Sequence, residues 1–240
     1  MKNIISGEQH TSQSYNAELE ALRQSVLTMG GEVEQQCQSA VEALTSGDET
    51  LASKVAKSDH SVNKLELQIS AQCIDILARR QPAARDLRMV VAIIRMVSNL
   101  ERIGDEAAKI GRMALKLADR REKQTYQSEP QHLGQGVTAM LRGSLDAFAR
   151  LDVDMAIEII AKDQEIDREF KTLTRLLMTH MMEQPHRVKS MLRVNSCARA
   201  LERVGDHAVN LCEEVIYLVE GNDIRHLSLE DIRRRHALPG

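Results

Sequence analysis

The chain has 240 residues, which is enough for one or two domains with real hydrophobic cores. Hydrophobic residues make up 42% of it, but aromatic residues only 2%, and there is no Trp. Because β-sandwiches and barrels usually need more aromatic and β-branched residues, this composition predicts an all-α protein. The formal net charge of −3 excludes a strong field of one sign, so neither nucleic acid nor an anionic membrane is an expected partner.

The cysteines and the lengths of the apolar stretches indicate in which cellular compartment the protein is expected. Cys37, Cys73, Cys197 and Cys212 form no C-x-x-C motif and are expected to be small buried residues in a reducing environment. The N-terminus lacks the apolar run of a signal peptide. No stretch of about 18 apolar residues is present to cross a membrane. We therefore expect a cytoplasmic protein without membrane insertion.

Apolar residues recur every three or four positions along most of the chain, which predicts six long helices. Pro82 and Pro185 each follow a Gln and end the second and the fifth helix, and Gly221 ends the sixth. A polar segment with Pro130, at about 121–132, is the predicted linker between the third and fourth helices. In chain order the predicted helices span about 16–44, 49–79, 84–120, 133–151, 155–182 and 187–220.

The two halves of the chain form an internal repeat. Residues 43–59 align without gaps on residues 147–163, and both segments consist of a helix end, an acidic turn and a helix start. The repeat predicts two tandem, pseudo-symmetric, antiparallel three-helix bundles. The expected boundaries are 15–121 for the first bundle, 132–221 for the second and 222–240 for a polar tail.

One six-residue motif occurs twice, as Leu-Glu-Arg-Ile-Gly-Asp at 100–105 and Leu-Glu-Arg-Val-Gly-Asp at 201–206. Like charges one helical turn apart repel each other by a few tenths of a kcal/mol, so such pairs need a compensating role. A helical wheel places each pair roughly 140–180° from the centre of the apolar stripe, which predicts the outer face of each bundle. The two pairs are Glu101 with Asp105 and Glu202 with Asp206.

A second acidic pair, Asp163 and Asp167, lies on the preceding helix of the second half, roughly 20–60° from its apolar stripe. A carboxylate so near a buried face is unfavourable unless it is paired or binds a cation. Asp59 and Asn63 are the matching residues of the first half, so that copy has one charge fewer. Glu213 falls on the same predicted face as the pair of the sixth helix and could add a ligand.

Two interpretations of these acids stay open. They can be solvated charges that pair with neighbouring arginines such as Arg102 and Arg203. They can instead bind a hard cation, since all-carboxylate sites suit Mg²⁺, Mn²⁺ or iron. The candidate ligands are then Glu101, Asp105, Glu202, Asp206, Asp163, Asp167 and Asp59.

The repeated L-E-R-[IV]-G-D motif, near the centre of each third helix, resembles the PhoU family of phosphate-uptake regulators. Further segments extend the resemblance from about residue 15 to 225: M-G-G-E-V-E at 29–34, R-Q-P at 80–82, D-L-R at 86–88 and A-F-A-R at 147–150. The resemblance implies two three-helix bundles, a cytoplasmic homodimer or higher oligomer, and no enzymatic activity. It also implies surface metal clusters on E/D-x-x-x-D motifs, which correspond to the candidate ligands above. Asn63 departs from the acidic motif, and Mg, Mn, Fe and Zn all stay open as the metal.

The same resemblance implies a signalling role. The protein is expected to connect the ATPase of a phosphate ABC transporter to a phosphate-sensing histidine kinase and to hold the starvation output off when phosphate is plentiful. Two alternatives use the carboxylates differently: a metal-dependent hydrolase or oxidase, and a metal store. The predicted outer face argues against an enclosed catalytic site. Direct phosphate sensing is not expected, because no helix N-terminus carries a glycine-rich nest.

Overall fold

The computed structural model describes residues 2–118 and 128–236, with side chains from residue 15 onward except at 59, 128 and 129. Within these residues every regular element is helical and no strand occurs, which confirms the all-α prediction. A 3₁₀ turn at Pro185–Arg187 joins two of the helices. In chain order the α-helices are α1 (Lys2–Ser46), α2 (Glu49–Val55), α3 (Asp59–Arg80), α4 (Ala84–Ala118), α5 (Ser128–Arg150), α6 (Val153–Glu183), α7 (Val188–Glu220) and α8 (Leu229–His236).

Short-range hydrogen bonds set several of these boundaries. The carboxylate of Asp48 accepts from the backbone N–H groups of Thr50 and Leu51 at 2.8 and 3.0 Å, which caps the start of α2. Asp152 caps α6 in the same way and so confirms the predicted acidic turn before this helix. Gly221 ends α7 with φ of 77°, as its position after the last apolar residue predicts.

The predicted second helix is broken in two at residues 56–58, between α2 and α3. The cause is a close crossing of α2 and α4. A Cβ atom on Gly111 of α4 would lie 2.8 Å from the backbone N of Ala56 and 3.1 Å from the carbonyl oxygen of Ala52. The turn is also held by the side chain of Gln36, whose Nε2 donates to the carbonyl oxygen of Ser58 at 3.0 Å. The helical periodicity of the sequence continues across this break and does not reveal it.

The segment predicted as a polar tail contains the short helix α8, which packs against α6. Ile224 and Ile232 are buried there, so this part of the chain adds to the core. His236 joins three helices, since its Nδ1 lies 2.7 Å from Glu220 Oε1 and its Nε2 lies 2.9 Å from Asp154 Oδ1. At the other boundary, α5 begins at Ser128, inside the predicted linker, whose residues 121–127 lie outside the described part.

Each half forms a set of three mutually packed long helices. In the first half α1, α3 and α4 contact one another, and in the second half α5, α6 and α7 do the same. The halves are joined because α4 packs against α7 and α1 packs against α5. One continuous cluster of buried apolar side chains runs through both sets, so the two halves share a single core.

Polar contacts fix the register between α4 and α7, which run antiparallel. Near one end Arg95 approaches Glu214 at 3.4 Å, and near the other Arg203 binds Glu106 at 2.8 Å. Both glutamates are at least 93% buried, because only 7% of Glu106 and 4% of Glu214 is exposed. Between them His207 Nδ1 donates to Asn99 Oδ1 at 2.9 Å. Removing one member of such a buried pair leaves an uncompensated charge, so these contacts specify one alignment of the two halves.

A methyl group at the α2–α4 crossing tests this packing. We expect Gly111→Ala to lower the free energy of unfolding by about 1–2 kcal/mol, because the new Cβ meets backbone atoms that cannot rotate away. Gly31→Ala is the matched control, since a Cβ there has open space and gains helix propensity. Denaturant unfolding of both variants measures the difference, and equal stabilities would contradict the close crossing.

The His236 contacts predict a pH-dependent docking of α8. Hydrogen bonds to Glu220, and then to Asp154, raise the pKa of His236, and the imidazolium form donates to both carboxylates. The stabilisation is full below the pKa of an unfolded histidine, about 6.5, and is lost as pH rises through the raised value. Hydrogen exchange of the α8 amides should accelerate, beyond its intrinsic pH dependence, across this range. In His236→Gln this extra acceleration should be absent.

Candidate metal site

The centre of α7 is placed so that its apolar face is buried and its acidic motif meets α6. Leu201, Val204 and Ala208 are buried, as the helical wheel predicts. Glu202 is partly exposed and Asp206 is exposed, and the motif that contains them also borders α6. A Cβ atom on Gly205 would lie 3.6 Å from Asp163 Oδ1, so the glycine is where the backbone of α7 comes close to α6. The helical wheel predicted the outward direction of the motif, but it takes no account of the second neighbouring helix beside it.

Four carboxylates from the two helices form a common acidic patch: Asp163 and Asp167 from α6, and Glu202 and Asp206 from α7. Each is close enough to at least one of the others for their charges to interact. The structure thus brings together the two acidic pairs that were predicted separately for the fifth and sixth helices. We call this group the α6/α7 acidic patch.

Burial and mutual repulsion raise the pKa values in the patch. Burial first, and then the charges of Asp206 and Asp167, raise the pKa of Asp163 to about 6. The pKa of Glu202 and that of Asp206 are raised for the same reasons, and Arg203 partly offsets the effect at Asp206. Both causes disfavour the charged form, and together they outweigh the positive charges of Arg199 at Glu202 and of Arg203 at Asp206.

Within the described residues, positive side chains neutralise the patch in part, and one of them, Arg199, opposes the rise in the pKa of Glu202. Lys171 binds Asp167 at 2.9 Å, an exposed contact one helical turn along α6. Arg203, predicted as a possible partner of the acidic motif, forms its ion pair with the buried Glu106 of α4. Among the described side chains, Asp167 of the patch therefore has a direct ion pair, whereas Arg199 and Arg203 act on Glu202 and Asp206 through their charges.

The carboxylate oxygens of the patch are chemically suited to bind a metal ion, but the side chains are not positioned around a common point. Carboxylate oxygens are the ligands that Mg²⁺, Mn²⁺ and iron prefer, and a cation would relieve the repulsion. Within the part of the chain that the structure describes, no three His, Cys, Asp or Glu side chains are arranged to hold an ion. Metal binding by these residues stays a prediction that requires side-chain rotation.

The first half has a related but different acidic group on α4. Glu101 is 19% exposed, and its carboxylate lies 3.5 Å from Arg102 Nε. Burial, and then the charge of Asp105, raises the pKa of Glu101. A Cβ on Gly104 would lie 3.4 Å from Val62 Cγ1, a contact between α4 and α3 that corresponds to the one between Gly205 and α6.

The partner residues of this first group differ in part from the predicted ones. Asp59 is the first residue of α3, but its side chain lies outside the described part. Glu66 is a charge that the sequence analysis missed, and it acts on Glu101. Its position two helical turns after Asp59 on the same face of α3 is the signal that could have identified it.

Two further residues do not belong to the patch. Glu213, predicted on the same face, has Glu214, Asp223 and Arg225 as its charged neighbours, and burial is the main cause that raises its pKa to about 7. His207, which follows Asp206 directly in the sequence, is half-buried at the contact with α4. Its pKa is lowered by burial and then by Arg203, so it is suited to a neutral hydrogen-bonding role.

The raised pKa of Asp163 predicts how stability depends on pH. Its folded value of about 6 exceeds the ordinary 3.8, so the protein should lose stability as pH rises from about 4 to 6. Asp163→Asn should flatten this slope and stabilise the metal-free protein at pH 7 by on the order of 1 kcal/mol.

Thermal melts from pH 4 to 7 in the presence of a chelator measure this effect. Glu230→Gln on α8 removes an exposed carboxylate far from the patch in sequence and serves as the control. A lower melting temperature for Asp163→Asn at pH 7 would mean that the charged carboxylate is stabilised in the fold.

Comparison with known proteins places the chain in a family. The family model for the PhoU domain matches it twice, at residues 26–114 and 131–215. The phosphate-specific transport system accessory protein PhoU homolog of Pseudomonas putida is 48% identical over 230 residues, which cover 96% of this chain and 90% of that protein. The phosphate-specific transport system accessory protein PhoU of Escherichia coli (strain K12) is 43% identical, with 93% and 92% covered.

Solved structures show the same likeness in three dimensions. The crystal structure of PhoU from Pseudomonas aeruginosa has a TM-score of 0.84 and 47% sequence identity, and the match covers 87% of this chain and all of that one. The phosphate transport system regulatory protein PhoU from Streptococcus pneumoniae has a TM-score of 0.81 at 31% identity, with 87% and 98% covered. With two matched domains and this identity along nearly the whole chain, the protein belongs to the PhoU family.

Proposed function

We propose that the protein is a non-enzymatic cytoplasmic adaptor that negatively regulates phosphate uptake and the phosphate-starvation response. In this role it links the ATPase of a phosphate ABC transporter to a phosphate-sensing histidine kinase. The observation that carries the proposal is the identity of 43–48% with proteins named as accessory to the phosphate-specific transport system. The matched segments include both halves of the fold, so both are expected to be needed.

The architecture supports an adaptor better than an enzyme. Both acidic groups lie at grooves between neighbouring helices, on two similar halves of one body. Open depressions of about 380 and 420 Å³ lie between α1 and α5 and between α5 and α6, and none of the candidate ligands lines them. An active site usually encloses its substrate among converging polar groups, whereas two repeated surfaces suit two partners, or one partner twice. A homodimer would double these surfaces and is part of the proposal.

No helix within the described residues is long and apolar enough to cross a membrane. The proposed contact with the transporter is made to its ATPase subunit. Light scattering of the purified chain measures the expected homodimer, and a monomer at all concentrations would contradict that part of the proposal.

The regulatory role predicts a phenotype in a strain that lacks this gene and carries a reporter on a phosphate-starvation promoter. In phosphate-rich medium we expect the reporter to be active without the protein and repressed at least about tenfold when the gene is restored. The physical reason is that the kinase is held in its inactive state only while the adaptor contacts it. Glu230→Gln, on the surface of α8, is a control that should repress like the original chain.

Affinity purification of the tagged chain from the same strain gives the direct measurement. Recovery of the transporter ATPase and the kinase is expected. A reporter that stays silent without the gene, together with the absence of both partners, would overturn the proposal.

A second candidate function is cation binding at the α6/α7 acidic patch, favoured by the repulsion that raises the pKa of Asp163 to about 6. The patch would serve to store metal or to order the groove between α6 and α7. Calorimetric titration with Mn²⁺ and with Mg²⁺ should show binding that weakens at least about tenfold in the Asp163→Asn, Asp206→Asn double variant.

Glu230→Gln should bind like the original chain, and equal binding by the double variant would place the metal elsewhere. Metal-dependent turnover that disappears in Glu202→Gln would instead favour the hydrolase. Because the patch is partly exposed, the double variant should keep its helix content, and circular dichroism checks this.

A further inference from the structure

The exposed large apolar side chains of the described part are concentrated on two helix pairs. All of them lie on α3 and α4 or on α6 and α7, and Val219 lies apart from the others of its pair, near the end of α7. The most exposed of them is Met182, at 76%, and it is joined on the second pair by Met178 at 58% and Leu192 at 52%. Single exposed apolar residues need no explanation, but several on one surface indicate an interaction site. The remaining members are Leu67, Ile74, Leu87 and Ile94.

Helical spacing from a contact between α6 and α7 places Met178, Met182 and Leu192 beside the groove between these two helices. Thr174 Oγ1 donates to Asn195 Oδ1 at 3.1 Å, which marks the level at which the two antiparallel helices meet. One turn further toward the connecting segment, Met178 on α6 and Leu192 on α7 lie at the same level, and Met182 lies one turn beyond. The three side chains form an apolar strip that ends at the α6–α7 connection. We call it the Met/Leu strip.

The surroundings of the Met/Leu strip are basic, although the whole chain has a net charge of −3. Between Glu169 and Glu202 the sequence has one acid, Glu183, against six basic residues: Lys171, Arg175, Arg187, Lys189, Arg193 and Arg199. Of these, Arg175, Lys189 and Arg199 are exposed, and the structure shows no ion pair for their side chains among the described residues.

The end of α4 extends this basic surface. Arg193 of α7 donates to the carbonyl oxygen of Lys116 at 2.6 Å, which places the last turns of α4 beside the start of α7. Lys116 and Arg112 are both exposed on these turns. The strip is therefore flanked by basic residues of α6 and α7, with the basic end of α4 beside the start of α7, and we call these residues the basic rim.

We propose that the Met/Leu strip binds an acidic amphipathic helix of a partner protein. Such a helix presents apolar residues at i, i+3, i+4 and i+7 to a groove, and its acidic residues would face the basic rim. Methionine is unbranched and flexible, so Met178 and Met182 can adapt to side chains of different shape. Positive charge around the strip would also speed association with an acidic partner.

Two other occupants fit the observations less well. A membrane-binding surface usually carries Trp, Tyr or Phe at the interface, and the sequence has none of these from residue 171 to 216. A second copy packed symmetrically through the same strip would place basic rim against basic rim. Charge thus favours an acidic partner helix over both.

The inference goes beyond the proposed adaptor role, because it assigns a surface and the chemistry of its partner. The adaptor role and the docking surface can be contradicted by separate experiments. The reporter experiment tests regulation in the cell, whereas the docking surface is tested with purified components. Regulation without peptide binding would overturn the docking surface alone.

The probe is an 18-residue synthetic peptide with Leu at i, i+3, i+4 and i+7 and Glu at most other positions, labelled for fluorescence anisotropy. We expect the full-length protein to bind this acidic peptide. A control peptide with Lys in place of every Glu should bind at least tenfold more weakly. The Met178→Ser, Met182→Ser double variant should lose at least tenfold in affinity. Lys189→Glu should lose about threefold, with a smaller dependence on salt.

Val219→Ser is the matched control, because it truncates an exposed apolar residue at the other end of α7 and should bind like the original chain. All variants are exposed-surface changes, so their melting temperatures should match, and a melt confirms this. Equal affinity for the acidic and basic peptides, or binding that the methionine variant leaves unchanged, would overturn the proposal. So would binding of vesicles of phosphatidylglycerol and phosphatidylcholine without peptide binding, or a change of oligomeric state in the methionine variant.

Discussion

The antiparallel contact between α4 and α7 is the interaction on which the rest of the structure depends. It brings the third long helix of each half into one shared core and buries Glu106 and Glu214 against arginines from the opposite helix. Buried pairs of this kind do not by themselves make a protein more stable than apolar packing would, but a shifted register would separate both glutamates from these arginines and leave Glu106 with Lys109 of its own helix alone. The contact therefore selects one arrangement of the two halves.

That arrangement also decides where the acidic motifs lie. Since one face of α7 is occupied by α4, the helix meets α6 along another, and Gly205 allows the approach there. The carboxylates of both helices then lie at the edge of one groove, partly shielded from water, and repel each other. Further along the same groove lies the Met/Leu strip with its basic rim. One helix pair thus carries an acidic surface, a basic surface and an apolar one, which is a suitable distribution for a protein that acts by binding.

The halves are similar without being equal, and the differences follow from single residues. Gly111 lets α2 cross α4 closely, and the helix breaks before α3, whereas α6 continues without interruption. On the acidic side, Asn63 replaces a carboxylate and Glu66 adds one in another place. The repeated motif therefore has two different surroundings, and we expect the two halves to bind different ligands or partners.

The sequence by itself determined the helices, the repeat and the spacing of the acidic pairs, because each depends on residues within one or two turns of each other. It also predicted Gly221 and Asp152 as helix ends, since capping is a local interaction. Only the tertiary structure decided that Glu213 lies away from the patch and that Glu66 lies near Glu101. It likewise decided that residues 229–236 form a helix packed on α6. The physical reason is that a helical wheel gives the direction of a side chain but not which other helix lies in that direction.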